Sequence, residues 1–238
     1  MNNVHIFADK QSLAADAASR TINLLKEAIE QQGRAVWVLA GGSTPLLAYE
    51  IIAGEYHQAL DWSKVTIVLG DERMGAPNGP DNNWHAITTI IGHLPTTKLQ
   101  PNSDGSAEDA AIDYEKQLTT LPCLETGLPQ FDVVWLGVGE DGHTLSLFPK
   151  HPSLLPTTQL VIPVHDSPKP PADRISLSLR ALLGAKSALI LASGSDKYTA
   201  VHEALAGGHS PIALAASIIS THDGDVSWLI DEDAAATD

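Results

Sequence analysis

Four loops hold most of the residues that could do chemistry, and each follows an apolar run. The richest is Gly137-Val138-Gly139-Glu140-Asp141-Gly142-His143-Thr144. A histidine titrating near neutrality can take a proton from water and hand one to a leaving group. Asp141, two positions before His143, can orient that imidazole or accept from a hydroxyl. The string also fits G-x-G-x-x-G, but a dinucleotide reading fails. Glu140 and Asp141 would sit inside the turn that must cradle a pyrophosphate, and no carboxylate follows at the ribose distance. Phe148-Pro149 is also a poor continuation for a long helix. The glycines are better explained as letting His143 project from a sharp turn.

Gly41-Gly42-Ser43-Thr44-Pro45 has the composition of an anion loop. Glycines let backbone N–H groups approach a charge, Thr44 is placed to cap a following helix, and Pro45 suits that helix's first position. A helix N-terminus behind such a loop attracts anions. A tight strand-to-helix turn with no ligand would use the same residues. Gly70-Asp71-Glu72-Arg73 puts a guanidinium at another strand end, where a solvated turn is the plainer reading. Gly194-Ser195-Asp196-Lys197 adds an ammonium in a segment that, standing alone, reads better as a capped helix start with a solvated lysine. Among the ten histidines, His85, His93, His151, His202 and His209 have no partner at metal-ligand spacing. The absence of H-E-x-x-H and of cysteine clusters argues against zinc, and the absence of G-x-S-x-G against a serine-hydrolase elbow. No zinc site is expected.

These loops need a scaffold that brings strand ends together. Apolar runs at 4–8, 36–40, 65–69, 131–137, 160–164, 175–179, 187–192 and 226–230 read as strands. Helical stretches lie between them: 10–32 closed by Gly33, a helix from the Gly-Gly loop through Ile52, 81–91, 106–120, and 195–206. Ser106 is the expected N-cap of the fourth, with Asp109 at its third helical position. Strands without polar alternation, spaced by helices, indicate an α/β fold, a mostly parallel sheet with helices on both faces. Ligands of such sheets bind beyond the carboxyl ends of the strands, which is where all four loops fall.

The 238 residues include 14 Lys+Arg against 29 Asp+Glu, a formal net charge of -15, and 43% of them are hydrophobic. That is enough apolar residue for a packed core and excludes a disordered chain. The length suits one large domain or two small ones. The acidic balance argues against a protein that coats nucleic acid or an anionic membrane. Residues 1–10 show no basic stretch followed by an apolar run, and no apolar run approaches a membrane span, so a cytoplasmic protein is expected. The one cysteine, Cys123, reads as a bystander. An anionic ligand would require a positive pocket inside this negative envelope.

Taken together, the segments Leu39 to Pro45, Gly70-Asp71-Glu72-Arg73 and Gly139 to Pro149 resemble the 6-phosphogluconolactonase family. Pro170-Pro171-Ala172-Asp173-Arg174-Ile175, Gly194 with Lys197, and Trp228-Leu229-Ile230-Asp231 fit the same pattern in the family's order. The likeness covers nearly the whole chain. Its D-G-H-T-x-S-L-F-P string is highly specific, whereas the G-G-S-T-P loop is shared with a wider sugar-phosphate superfamily. Two positions depart: Glu140 stands where the family most often has proline, and Asn82-Asn83 where Ser-Asn is usual.

The resemblance implies one α/β domain of the sugar-phosphate isomerase and CoA-transferase-like type. It implies hydrolysis of 6-phospho-D-glucono-1,5-lactone to 6-phosphogluconate, in the oxidative pentose phosphate pathway, without metal or cofactor. His143 would be the base, with Asp141 beside it. Arg73, Arg174 and Lys197 would bind the substrate, and Gly41, Gly42, Ser43 and Thr44 would add donors. Asp71 would accept from a sugar hydroxyl or position a cation. The expected partner is that small molecule, with no nucleic acid and no membrane, and with the chain a monomer or a weak homodimer.

Two rivals share parts of this pattern. An aminosugar-phosphate isomerase/deaminase has the Gly-Gly loop and the D-G-H element, but typically D-E-Y at Asp71-Glu72-Arg73 and F-N-E-P after its histidine. Here the string ends Phe148-Pro149, without that glutamate. A non-catalytic sugar-phosphate sensor would use the same fold. Such regulators normally carry a DNA-binding module, and no basic helix-turn-helix candidate is found.

Overall fold

A computed structural model describes residues 3–236. The first half of the chain forms β1 (Asn3–Phe7), α1 (Lys10–Gln32), β2 (Ala35–Leu39), α2 (Ser43–Glu55), β3 (Val65–Leu69), β4 (Asp71–Arg73), α3 (Asn83–Ile91), β5 (Thr97–Leu99) and α4 (Ala107–Leu118). The second half forms β6 (Val133–Gly137), β7 (Val161–Val164), β8 (Arg174–Leu177), β9 (Ser187–Ala192), α5 (Tyr198–Leu205), α6 (Pro211–Thr221), β10 (Asp225–Asp231) and α7 (Glu232–Ala235). Local chemistry sets the helix ends. Asp9 accepts from the Ser12 N–H at the start of α1, and Gly33 closes that helix at φ 78. The Ser106 hydroxyl accepts from the Asp109 N–H, the N-cap expected there, and donates to the Asp109 carboxylate.

Seven strands form a parallel sheet in the order β1-β10-β9-β6-β2-β3-β5. Alternate residues of a strand point to opposite faces. In β2, Val36 and Val38 enter a core shared with α4, α5 and α6, while Trp37 and Leu39 enter one shared with α1, α2 and α3. A strand buried on both faces therefore reads as one unbroken apolar run. The expected parallel sheet with helices on both faces is present.

Several expectations need correction. The runs at 160–164 and 175–179 are strands, but β7 and β8 belong to a separate antiparallel sheet of order β4-β8-β7. Its third member, β4, is the Asp71–Arg73 segment read as a loop; three charged residues carry no apolar period to reveal it. The 195–206 helix splits into a 3-10 turn over Ser195–Lys197 followed by α5. Helix α6 and the short edge strand β5 were not read at all, because α6 is small and apolar around much of its girth and β5 has only three residues.

The topology places the site. From β2 the chain builds outward through β3 and β5, then returns to β6 on the other side of β2 and continues to β9 and β10. Strand order reverses between β2 and β6, so the loops leaving their carboxyl ends diverge and open a crevice. Those loops are the Gly-Gly loop and the His143 loop.

Candidate active site

Helix α2 starts at Ser43, with Gly42 as its N-cap at φ 107 and ψ 161. That positive φ favours glycine, so Thr44 does not cap and Pro45 is the third residue of the helix, not the first. No side chain caps this end, which leaves first-turn N–H groups facing the crevice. Gly41 packs against α3: a Cβ there would sit 2.2 Å from Asn83 Oδ1.

Two buried phenols hold the strand ends that feed this side. Tyr49 Oη accepts from the Ala40 N–H at 3.1 Å and donates to the Ala40 carbonyl at 3.0 Å. Tyr114 Oη does the same for Leu69, at 2.6 and 2.9 Å. Each stands in for a neighbouring strand that has ended, since β2 pairs with β6 only at Trp37 and Val38, and β3 pairs with β5 only as far as Val68. Burial pushes both phenols above the usual tyrosine range, so they stay protonated donors. Glu72, fully buried, accepts from the N–H groups of Arg73, Asn83 and Trp84, each at 2.8 Å. It ties β4 to the start of α3. Burial pushes its carboxyl up to about 7 against the pull of those donors.

In the turn after β6, Asp141 Oδ1 lies 2.5 Å from His143 Nδ1. A carboxylate there keeps the proton on Nδ1 and leaves Nε2 as the acceptor. Burial lowers the His143 pKa, more than the Asp141 hydrogen bond and charge raise it, so the ring is neutral at neutral pH. For Asp141, burial opposes ionisation, but the hydrogen bond and charge of His143 outweigh it and leave the carboxyl below its ordinary value. The Gly139 N–H donates to the His143 carbonyl at 2.8 Å, and a Cβ on Gly139 would fall 2.0 Å from His143 Nδ1. Only a glycine lets the turn close that tightly over the pair. Phe148 packs against the imidazole, with ring centroids 4.7 Å apart.

A cleft of about 300 Å³ opens between the two loops. Gly41, Gly42, Ser43 and Thr44 line one side, and Asp71, Arg73, His143, Arg174 and Lys197 complete the residues expected from sequence. Asp141 is the exception: it stands behind His143. Four cations and a single carboxylate line the cleft, a locally positive site in a chain of net charge -15. Asp71 accepts from Ser146 Oγ at 2.6 Å, and Arg73 donates to the Asp81 carbonyl at 2.9 Å.

The fourth cation, Lys169, was missed, as were Asn83 and Ser193. Lys169 lay in a segment legible only as a proline-bearing loop, where a cation beside Pro170-Pro171 was the available signal. Asp231 accepts from Ser193 Oγ and from the Gly194 N–H, so the closing Trp228-to-Asp231 motif anchors the Lys197 loop. Cys123 is exposed and outside the cleft. Among the described residues no group of three or more His, Cys, Asp or Glu could hold a metal ion. No helix among them is long and apolar enough to cross a membrane.

The family model described as glucosamine-6-phosphate isomerases/6-phosphogluconolactonase matches residues 8–228. The chain belongs to this family. A 6-phosphogluconolactonase of Streptomyces coelicolor is 37% identical over 243 residues, covering 97% of this chain and 92% of that protein. One from Mycobacterium tuberculosis is 34% identical over 245 residues, covering 99% and 98%. The solved structure of 6-phosphogluconolactonase from Trypanosoma brucei superposes with a TM-score of 0.86 at 28% identity, covering 99% of this chain and 98% of that one. The sugar-phosphate isomerase-like fold expected of a member of the glucosamine-6-phosphate isomerase/6-phosphogluconolactonase family is the fold observed.

Proposed function

We propose that the chain hydrolyses 6-phospho-D-glucono-1,5-lactone to 6-phosphogluconate, with His143 as general base. The observation that carries this reading is the Asp141–His143 pair at 2.5 Å on the wall of a cleft lined by four cations. Arg73 and Lys197, with the open N–H groups of α2, hold the phosphate. Nε2 of His143 takes a proton from water, and the oxygen attacks the lactone carbonyl carbon. The resulting tetrahedral oxyanion is stabilised by the cations and backbone donors around it, an effect worth about 3 kcal/mol per well-placed donor. The bond to the ring oxygen then breaks, and the imidazolium returns its proton to that oxygen. The product acid loses its own proton to solvent. A positioned base of this kind contributes about 10²–10⁴-fold.

Phe148 favours this reading over aminosugar-phosphate deamination. It places an aromatic ring, not a carboxylate, against the imidazole. In this reading the chain works as one catalytic domain, a monomer or weak homodimer, in the cytoplasm, and needs no cofactor. The test is release of 6-phosphogluconate from fresh lactone, coupled to 6-phosphogluconate dehydrogenase with the spontaneous rate subtracted. Hydrolysis above that blank is expected. Ammonia release from glucosamine 6-phosphate without lactone hydrolysis would overturn it.

A further inference from the structure

Much of the Arg174 guanidinium is turned on the chain itself. Nε donates to the Pro171 carbonyl at 3.1 Å, and Nη2 to the carbonyls of Lys169 and Pro170 at 2.9 and 3.2 Å. The Lys169 carbonyl also accepts from Ser167 Oγ at 2.8 Å. A buried arginine therefore fixes the backbone of residues 169–171 at the cleft, and the side chain this segment presents there is Lys169. Its Nζ lies 2.7 Å from Glu140 Oε1, and the two side chains are 38% and 59% exposed. The pair thus bridges the His143 loop and the 169–171 segment at a place water reaches. Glu140 also feels Lys197: the hydrogen bond and charge of Lys169, then the charge of Lys197, hold its carboxyl below the ordinary value. A carboxylate paired with one cleft lysine, while the other cleft lysine is paired with Asp196, occupies a position where an anion could compete.

We propose that Lys169 is a further substrate-binding cation and that Glu140 is its counter-ion in the free protein, displaced by the phosphate of the incoming sugar. The proposal rests on the lactonase reading above. A phosphate brings close to two negative charges and three acceptor oxygens where Glu140 brings one charge, and an exposed ion pair is weak enough to open.

The experiment is steady-state hydrolysis of fresh lactone by wild type, Lys169→Met, Lys169→Arg, Glu140→Gln and the Lys169→Met/Glu140→Gln double variant. Circular dichroism and calorimetric Kd for 6-phosphogluconate would be measured on the same preparations. Lys169→Met should raise KM about ten- to hundred-fold, the worth of a hydrogen bond to a charged group, with Kd moving the same way. Lys169→Arg should restore most of that loss. Glu140→Gln should lower KM about two- to five-fold, the size of an exposed pair, and should have a smaller effect once Lys169 is gone. Wild-type hydrolysis with KM unchanged in Lys169→Met, or raised in Glu140→Gln, would overturn this inference alone. No wild-type hydrolysis would overturn the functional reading and this inference with it.

Discussion

The cleft has two walls, and they are held by different chemistry. On the β2–β3 side, Ala40 and Leu69 are gripped by buried phenols, and Glu72 takes three backbone N–H groups out of solvent's reach. On the side of β6, β8 and β9, cleft cations are paired at the surface, Lys169 with Glu140 at 2.7 Å and Lys197 with Asp196 at 2.6 Å. Buried hydrogen bonds are barely screened and costly to leave half-made, whereas exposed ion pairs are weak and salt-sensitive. The first wall is preorganised. The second can exchange its partners when an anion enters, and His143 gains rigidity there from its own glycine turn.

Disabling the second wall's chemistry should have the largest effect. Asp141→Asn removes the acceptor that keeps the proton on Nδ1, so the imidazole can hold it on Nε2 instead. A drop in kcat of up to about 10⁴-fold is expected, by analogy with other carboxylate-oriented histidines. The pH profile gives a second readout. The base must be neutral, and its pKa is lowered from 6.5 chiefly by burial, so wild-type kcat/KM should be lost as pH falls through a value below 6.5. Asp141 raises that pKa, and its replacement should move the acid limb lower still. A limb at or above 6.5 in wild type would contradict the neutral-imidazole assignment.

Next comes Arg73, on the preorganised wall. Arg73→Ala should raise KM about ten- to hundred-fold, as loss of a charged hydrogen bond does, and an unchanged KM would remove it from the phosphate site. Smaller effects separate the walls by stability. Tyr49→Phe and Tyr114→Phe each leave a buried N–H and carbonyl unpaired, at a cost of about 1–3 kcal/mol. Denaturant midpoints should show that loss equally at low and high salt. Glu140→Gln should leave the midpoint nearly unchanged, with any shift confined to low salt. Equal salt sensitivity at both walls would erase the distinction.

Much of this was legible because its signals are local. Unbroken apolar runs mark strands buried on both faces, and glycines around His143 mark a turn that nothing with a Cβ could make. What escaped is non-local. Tyr49 and Tyr114 look like ordinary core aromatics until their hydroxyls are seen to replace missing strands. The β4 segment hides behind its charges, and its partner β8 lies a hundred residues away, at Arg174–Leu177. Lys169 is an unremarked loop lysine until Arg174 is seen to fix its backbone. Glu140 was visible only as a departure from the family pattern, with no sign of the lysine it meets.

The most direct test of the central claim compares wild type with His143→Ala on freshly generated 6-phosphogluconolactone, with the spontaneous rate subtracted and folding checked by circular dichroism. The account predicts clear turnover by wild type and a fall of about 10²–10⁴-fold in the folded variant. Turnover by His143→Ala at the wild-type rate would contradict it.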